Sequence, residues 1–587
     1  MKKVELVTIM LFSIFLAGNL YAQKSANKVL VNHVGYEQNG EKKVVFQTAS
    51  NEKPSIFNVI NHSGKTVFKG EFKNGGKIDN WHTGNAFAGL FDRVEKPGTY
   101  SIEVIFNGKK FRSSKFEIKE GLFVDKTMSL MLKGFKSIHP AEKYEKWDSN
   151  ISFYGKRKDK RDVHGGWYDA SGDFSKYLSH LCYTNFMAPQ HTPMVVYNML
   201  VSANNISDKY KDLSKDLIRE SAWGADFLVR MQDPEGYFYT IVFDTWTKDE
   251  TKREICVYET EHGNRTEDYK AAFREGAGIS IAALARLSAE KVSGEYSSAV
   301  YLEKAEKGFA HLVKNNLKYC DDHKENIIDD YCALMAATEL YNATHKKEYL
   351  TYARMRAQNL ANRISNDKKY QGWFRADNGN RPYFHAAEAG YPLITLSRYL
   401  DIEKEEANRE KAIETIQKSV DFQLYITKEV HNPFGYPRQY VKALDESNNK
   451  GSFFIPHKNE SGYWYQGENA RLASLASGFN YSKKYMLARQ QKEVESFVQN
   501  QINWILGLNP YDMSMFDGLG RNNPEYLEPH NWNYKGGIAN GITAGVNDES
   551  DIAFLPSPQD QDSAQRWRWP EQWIPHAGWF MLMVSSK

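Results

Sequence analysis

Residues 217–231, LIRESAWGADFLVRM, set Leu217, Ile218, Ser221, Ala222, Ala225, Leu228 and Met231 at three- and four-residue intervals. That period places them on one face of an α-helix, and Gly224 within it implies close approach by a neighbouring helix. The pattern recurs downstream. Leu302, Ala305, Phe309 and Leu312 share a face, as do Leu350, Ala353, Ala357, Leu360 and Ile364. Further helical runs cover 279–287, 331–341, 413–424, 471–476 and 494–505. Residues 121–587 are therefore expected to form one large helical domain of roughly nine helices or more.

The text before residue 120 has another rhythm. Short β-branched or aromatic runs at 29–31, 43–46, 55–60, 66–72 and 100–106 alternate with turn sequences such as His62-Ser63-Gly64-Lys65 and Lys96-Pro97-Gly98-Thr99. Strands at this spacing over residues 23–120 predict a small β-sandwich, with a bracing role against the helical domain. Ahead of it, Lys2 and Lys3 precede an apolar run, 7–16, and Leu20-Tyr21-Ala22 ends on a small residue. This reads as a secretory signal peptide over residues 1–22, so the mature chain is expected outside the cytoplasm, in periplasm or medium, with no membrane span.

Composition narrows the function. The 587 residues carry a net charge of only +3, without the basic stripe that nucleic-acid binding needs. Aromatic residues make up 14% of the chain, which suits a surface that stacks on sugar rings as well as a packed core. Cys182, Cys256, Cys320 and Cys332 have no metal-finger spacing and are expected as buried thiols. No dinucleotide, P-loop, zinc-protease or serine-hydrolase motif occurs in its required context.

The chemistry concentrates in 165–180, GGWYDASGDFSKYLSH, where Asp169 and Asp173 sit in a small-residue turn beside Trp167, Tyr168, Phe174 and Tyr177. Carboxylates among aromatics suit glycoside hydrolysis, in which one carboxylate activates water and another acid protonates the leaving oxygen. A turn whose aspartates merely cap the next helix fits the same residues.

Several segments resemble glycoside hydrolase family nine, the cellulase-type enzymes with an N-terminal immunoglobulin-like domain. Residues 28–36, KVLVNHVGY, look like the opening strand of that domain, and 165–173 is similar to the family's GGWYDAGD segment. Residues 502–510, INWILGLNP, followed by Ser514, Gly518, Gly520, Asn522, Pro524, Pro529 and His530, resemble its first C-terminal signature. Asp562, Trp567 and Glu571 fall at the spacing of its second. The resemblance implies an (α/α)6 barrel and an inverting mechanism without a catalytic cofactor. Asp173 would be the base that deprotonates water, Asp169 would orient that water, and Glu571 would be the general acid. It also implies an oligosaccharide or polysaccharide substrate with β-1,4 linkages, contacted by His530.

Trp167, Tyr168, Trp464, Tyr465 and Trp532 are further candidates for the sugar cleft, although core packing fits Trp464 and Tyr465 equally well. Three departures bear on the substrate. Ser171 is extra in the aspartate turn, Trp532 stands where an arginine is usual, and Gln-Trp-Ile-Pro-His-Ala-Gly follows Glu571 where cellulases have an Asn-Ala pair. The longer turn resembles a branch that includes exo-β-glucosaminidases, for which Glu468 is a candidate carboxylate to hold an amine. A protein that binds glycans without cleaving them is the alternative of another class. Structural calcium is the metal the family allows for, with Asp548 to Asp551 as candidate ligands.

Overall fold

The computed structural model describes residues 27–73, 75–259, 264–462, 466–526, 532–554 and 567–587. The signal-peptide reading and the calls on Trp464, Tyr465, His530 and Asp562 fall outside the described residues.

The N-terminal strands pair into two sheets. One has the order β1 (Lys28–Leu30), β3 (Lys43–Thr48), β7 (Asn85–Leu90), β6 (Gly76–Lys77). The other runs β2 (Gly35–Glu37), β10 (Phe116–Lys119), β8 (Gly98–Phe106), β4 (Ile56–Asn61), β5 (Thr66–Glu71), with β9 (Lys109–Arg112) on β8. Val29, Phe46, Phe57, Val59, Phe87 and Ile102 fill the space between them. Alternation on β4 and β8 puts these side chains inward, as a half-buried strand requires.

Twelve long helices follow among the described residues. In chain order they are α1 (Leu122–Ser137), α2 (Thr192–Ile206), α3 (Lys211–Arg230), α4 (Ala277–Ala289), α5 (Ser298–Tyr319), α6 (Ile327–Thr344), α7 (Lys347–Asn362), α8 (Tyr391–Ile402), α9 (Glu406–Lys428), α10 (Asn469–Ser482), α11 (Ala488–Ile505) and α12 (Ile574–Ser585). The even-numbered helices pack side by side in the order α2, α4, α6, α8, α10, α12, and α12 closes back on α2. Each is buried on nearly every face. The odd-numbered helices form the outer layer and expose one polar stripe each. This is an (α/α)6 barrel preceded by a β-sandwich, the predicted class.

The helical faces read from sequence lie in helices, with one correction. Ile364 is not on the face of α7, which ends at Asn362; it begins a short strand that pairs with Phe374. Three inner helices, α2, α8 and α12, and the outer helix α1 lie outside the predicted runs. The four cysteines are buried free thiols.

The two domains share a core. Trp81, from the loop after β6, is fully buried and packs on Phe453 at 4.9 Å, Phe454 at 6.1 Å and Trp504 at 6.2 Å between ring centroids. Asn32 and His33 add polar ties, through the Asn503 side chain at 3.1 Å and the Leu506 carbonyl at 2.9 Å. Trp81→Ala is expected to lower stability by about 3–5 kcal/mol in urea unfolding, the cost of emptying a large aromatic site.

Candidate active site

The site is built at the N-terminal ends of inner helices. A small sheet, β12 (Lys160–Arg161), β11 (Ile151–Phe153), β15 (Glu254–Tyr258), β14 (Ile241–Phe243), β13 (Lys176–Tyr177), supports the aspartate turn from one side. Beneath it Asp148, Arg253 and Lys176 form a buried ion cluster: Lys176 lies 2.7 Å from Asp148, and Arg253 grips both Asp148 oxygens at 2.6 and 2.9 Å. The spare donors of these cations hold the backbone of the turn. Arg253 donates to the Phe174 carbonyl at 2.8 Å, and Lys176 donates to the Val163 and Gly165 carbonyls at 2.7 and 2.9 Å.

From the other side the turn is sewn to the segment that carries Glu571. Ser171 N–H donates to the Gln572 carbonyl at 2.8 Å, and Gln572 N–H donates to Ser171 Oγ at 2.9 Å. Ile574 N–H donates to the Asp169 carbonyl at 2.9 Å, and Trp573 Nε1 donates to Asp169 Oδ2 at 2.6 Å. Ser171 thus forms a reciprocal bridge to the residue beside Glu571.

Asp169, Asp173 and Glu571 are brought together, each in a different setting. Asp169 is buried, with Oδ1 against His191 Nδ1 and Oδ2 on Trp573. Burial holds its carboxyl well above the usual range, opposed by the Trp573 bond. Asp173 is half-buried; its Oδ1 accepts Ser175 N–H at 2.8 Å and its Oδ2 accepts the Tyr177 hydroxyl at 3.1 Å. Burial raises it too, but those donors and the Ser175 backbone pull toward the charged form. Glu571, also half-buried, is pushed well above the ordinary glutamate value by burial and then by the charge of Asp173. Buried Trp569 and Trp573 flank it in sequence, as a proton-holding carboxyl requires.

The remaining candidates divide. Trp532 is 46% exposed and stands 5.7 Å from the Phe174 ring, one residue past Asp173, so it presents an open aromatic face beside the base turn. Trp167 differs from the expectation of a stacking face: it is fully buried, donates Nε1–H to Glu220 at 2.9 Å, and lies against Gly224 where any side chain would collide. Tyr168 is likewise buried, its hydroxyl accepting the Ala141 N–H at 3.0 Å. Both rings belong to the main hydrophobic core. Glu468 is not free to hold an amine, because Arg471 forms an ion pair with it and the Ile455 N–H donates to it at 3.2 Å. The calcium candidates are committed elsewhere: Asp551 to His82, Glu549 to Lys450, and Asp548 to the Ser550 N–H. Their donors do not converge, so they do not fit a calcium site. Asp169, His180 and His191 do offer ligand atoms within 4.8 Å of one another, but both Asp169 oxygens already accept hydrogen bonds.

Sequence reading missed His191, Asn540 and Asp244. Asp244 follows β14, is buried, and is pushed up to about 6 by burial and then by Asp173. None of the three stands in a spacing that announces it.

With this geometry in place, comparison with known proteins gives the family. The profile of Glycosyl hydrolase family 9 matches residues 132–549, and that of the Cellulase N-terminal ig-like domain matches residues 24–108. The chain belongs to glycosyl hydrolase family 9. Among curated proteins, a Cellodextrinase of Butyrivibrio fibrisolvens is 30% identical over 174 residues, 27% of this chain and 30% of the relative. The chain thus aligns with less than a third of that relative's length. Among solved structures, a metagenome-derived glycoside hydrolase family 9 endoglucanase superposes with a TM-score of 0.66 at 16% identity, covering 95% of this chain and 98% of the other. The structure described as Bacteroides ovatus GH9 gives 0.64 at 18% identity, with 95% and 98% coverage. These superpositions establish the shared fold.

Trp573→Phe keeps the ring but removes the donor to buried Asp169. It is expected to cost about 1–3 kcal/mol in urea unfolding, the penalty of an unpaired buried acceptor; wild-type stability would mean the bond contributes nothing.

Proposed function

We propose that the protein is an inverting glycosidase that cleaves β-1,4 bonds in glucan-type polysaccharides or oligosaccharides. The observation that carries this reading is the unequal pair: Asp173 held by donors that favour its charged form, and Glu571 held neutral by burial and by the charge of Asp173. In the reaction Asp173 takes a proton from water as its oxygen attacks the anomeric carbon, and Glu571 protonates the departing glycosidic oxygen. Asp169 keeps a second lone pair on each oxygen with which to orient that water. Two carboxyl groups and water suffice, with no cofactor in the step. Trp532 and Phe174 offer a stacking face for a sugar ring, and the family resemblance makes His530, Trp464 and Tyr465 further candidates for sugar contact.

The curated relative that aligns is a Cellodextrinase, which favours short β-glucan chains as substrates. An exo-acting β-glucosaminidase is the second reading. Its amine would need a carboxylate near the base, and with Glu468 tied to Arg471, Asp244 is the one beside Asp173. We place the mature chain outside the cytoplasm, where such polymers occur; no helix among the described residues is long and apolar enough to cross a membrane.

Product analysis on cellohexaose and on a chitosan hexamer separates the two readings, and binding without cleavage of either would favour a glycan-binding protein. Asp173→Ala and Glu571→Gln should each lower turnover roughly a hundredfold or more while the chain stays folded by circular dichroism. The rate should be bell-shaped in pH. It falls on the acid side as Asp173 gains its proton and on the alkaline side as Glu571 loses its own, and both limbs lie above ordinary carboxylate values because both carboxyls are raised.

A further inference from the structure

Behind Glu571 runs a chain of hydrogen bonds whose direction is fixed at both ends. Ala470 N–H donates to His576 Nδ1 at 2.7 Å. A backbone N–H can only donate, so Nδ1 is the bare nitrogen of a neutral imidazole and the proton is on Nε2. Burial, and then His191, push His576 down to about 3, which keeps it neutral. His576 Nε2–H therefore donates to the side chain of Asn540 at 2.8 Å, and the atom it meets must be Oδ1. The other end agrees. Asn540 Nδ2 donates to the Trp567 carbonyl at 3.0 Å, which can only accept. Asn540 is fully buried, so neither end can be exchanged for solvent. The second Nδ2–H reaches Glu571 Oε2 at 3.4 Å, and Asn540 N–H donates to the Glu571 carbonyl at 2.7 Å.

The geometry points to Asn540 and His576 as positioning residues of the acid: together they make Oε2 of Glu571 the accepting oxygen and leave Oε1 to carry the proton. This rests on the reading of Glu571 as the general acid. A carboxylic acid has two oxygens, and a donor that cannot turn away selects which one is the carbonyl oxygen. In the step, the Oε1 proton passes to the glycosidic oxygen as the bond from C1 to that oxygen breaks, the water oxygen bonds to C1, and the water proton goes to Asp173. Glu571 becomes a carboxylate, and the waiting Asn540 N–H stabilises that new charge without reorganising. His576 stands in the segment that departs from the Asn-Ala pair of cellulases, so this chain supplies the support from its own residues.

The charged and titratable groups that act on Glu571 are Asp169 and Asp173 on the turn, with His576 behind the Asn540 amide. The Asn540 bond is the contact that opposes the upward push on Glu571. Its loss must therefore raise the acid further and move the alkaline limb of kcat/KM to higher pH.

The test compares wild type, Glu571→Gln, Asn540→Ala and Asn540→Asp, the last keeping the side-chain size should the alanine variant fail to fold. On cellohexaose, Asn540→Ala should lose roughly tenfold or more in kcat with an alkaline limb above wild type, and Asn540→Asp should place that limb at least as high. On an aryl β-cellobioside with a 2,4-dinitrophenolate leaving group, which needs no proton, both should regain rates within about threefold of wild type. A wild-type limb, a limb moved to lower pH, or an equal loss on both substrates would overturn the assignment. Failure of the underlying reading looks different: wild type would then cleave neither substrate, or Glu571→Gln would cleave cellohexaose as wild type does.

Discussion

The site depends on the seam between the aspartate turn and the segment entering the last inner helix. Residues 169–171 and 572–574 exchange backbone bonds, the Ser171 hydroxyl closes a second bond to Gln572, and the Trp573 indole closes one to Asp169. On the far side Ala539 bridges Gln572 and Asn540 N–H reaches the Glu571 carbonyl. Three chain segments distant in sequence thus form one short strand-like layer that carries Asp173 and Glu571, so the relative placement of these carboxyls follows from backbone pairing.

That seam coincides with closure of the barrel. Asp169 meets His191, the residue before α2, and its carbonyl receives the N–H of Ile574, the first residue of α12. The first and last inner helices pack on each other to complete the ring. The ring cannot close without bringing the two halves of the chemistry together. A barrel whose loops converge at one end makes distance along the chain irrelevant, and the base and acid are nearly four hundred residues apart.

Legibility from sequence followed burial. Outer helices such as α3 and α5 have one dry face and one wet face, so their apolar residues repeat and were read. Inner helices have no wet face; α4, α6 and α10 were still read as apolar runs, whereas α2, α8 and α12 were not. Strand β7, NAFAGL, was passed over because its alanine and glycine lack the bulk by which strands are recognised, although it pairs along its full length with β3. Within the site, Asp169, Asp173 and Glu571 were legible because they sit in spaced motifs. Trp167 and Tyr168 were misread because an aromatic ring serves core packing as well as sugar stacking, and here both rings are buried in the core. The hydrogen-bond chain through Asn540 and His576 was invisible because no sequence spacing marks it.

The supporting charges explain why the turn tolerates so many acids. Asp148, Arg253 and Lys176 are buried with two cations to one carboxylate, and the excess positive charge lies under the turn. A buried cluster of this kind costs desolvation, which the ion pairs and the further hydrogen bonds of its cations offset. Here the donors beyond the ion pairs go to the carbonyls of Val163, Gly165 and Phe174, the backbone that carries Asp169 and Asp173. Arg253 also pulls Asp244 toward its charged form, against burial and Asp173. The site can therefore gather Asp169, Asp173, Asp244 and Glu571: burial raises all four carboxyls, while the Ser175 and Tyr177 donors at Asp173 and the Arg253 charge near Asp244 oppose that rise.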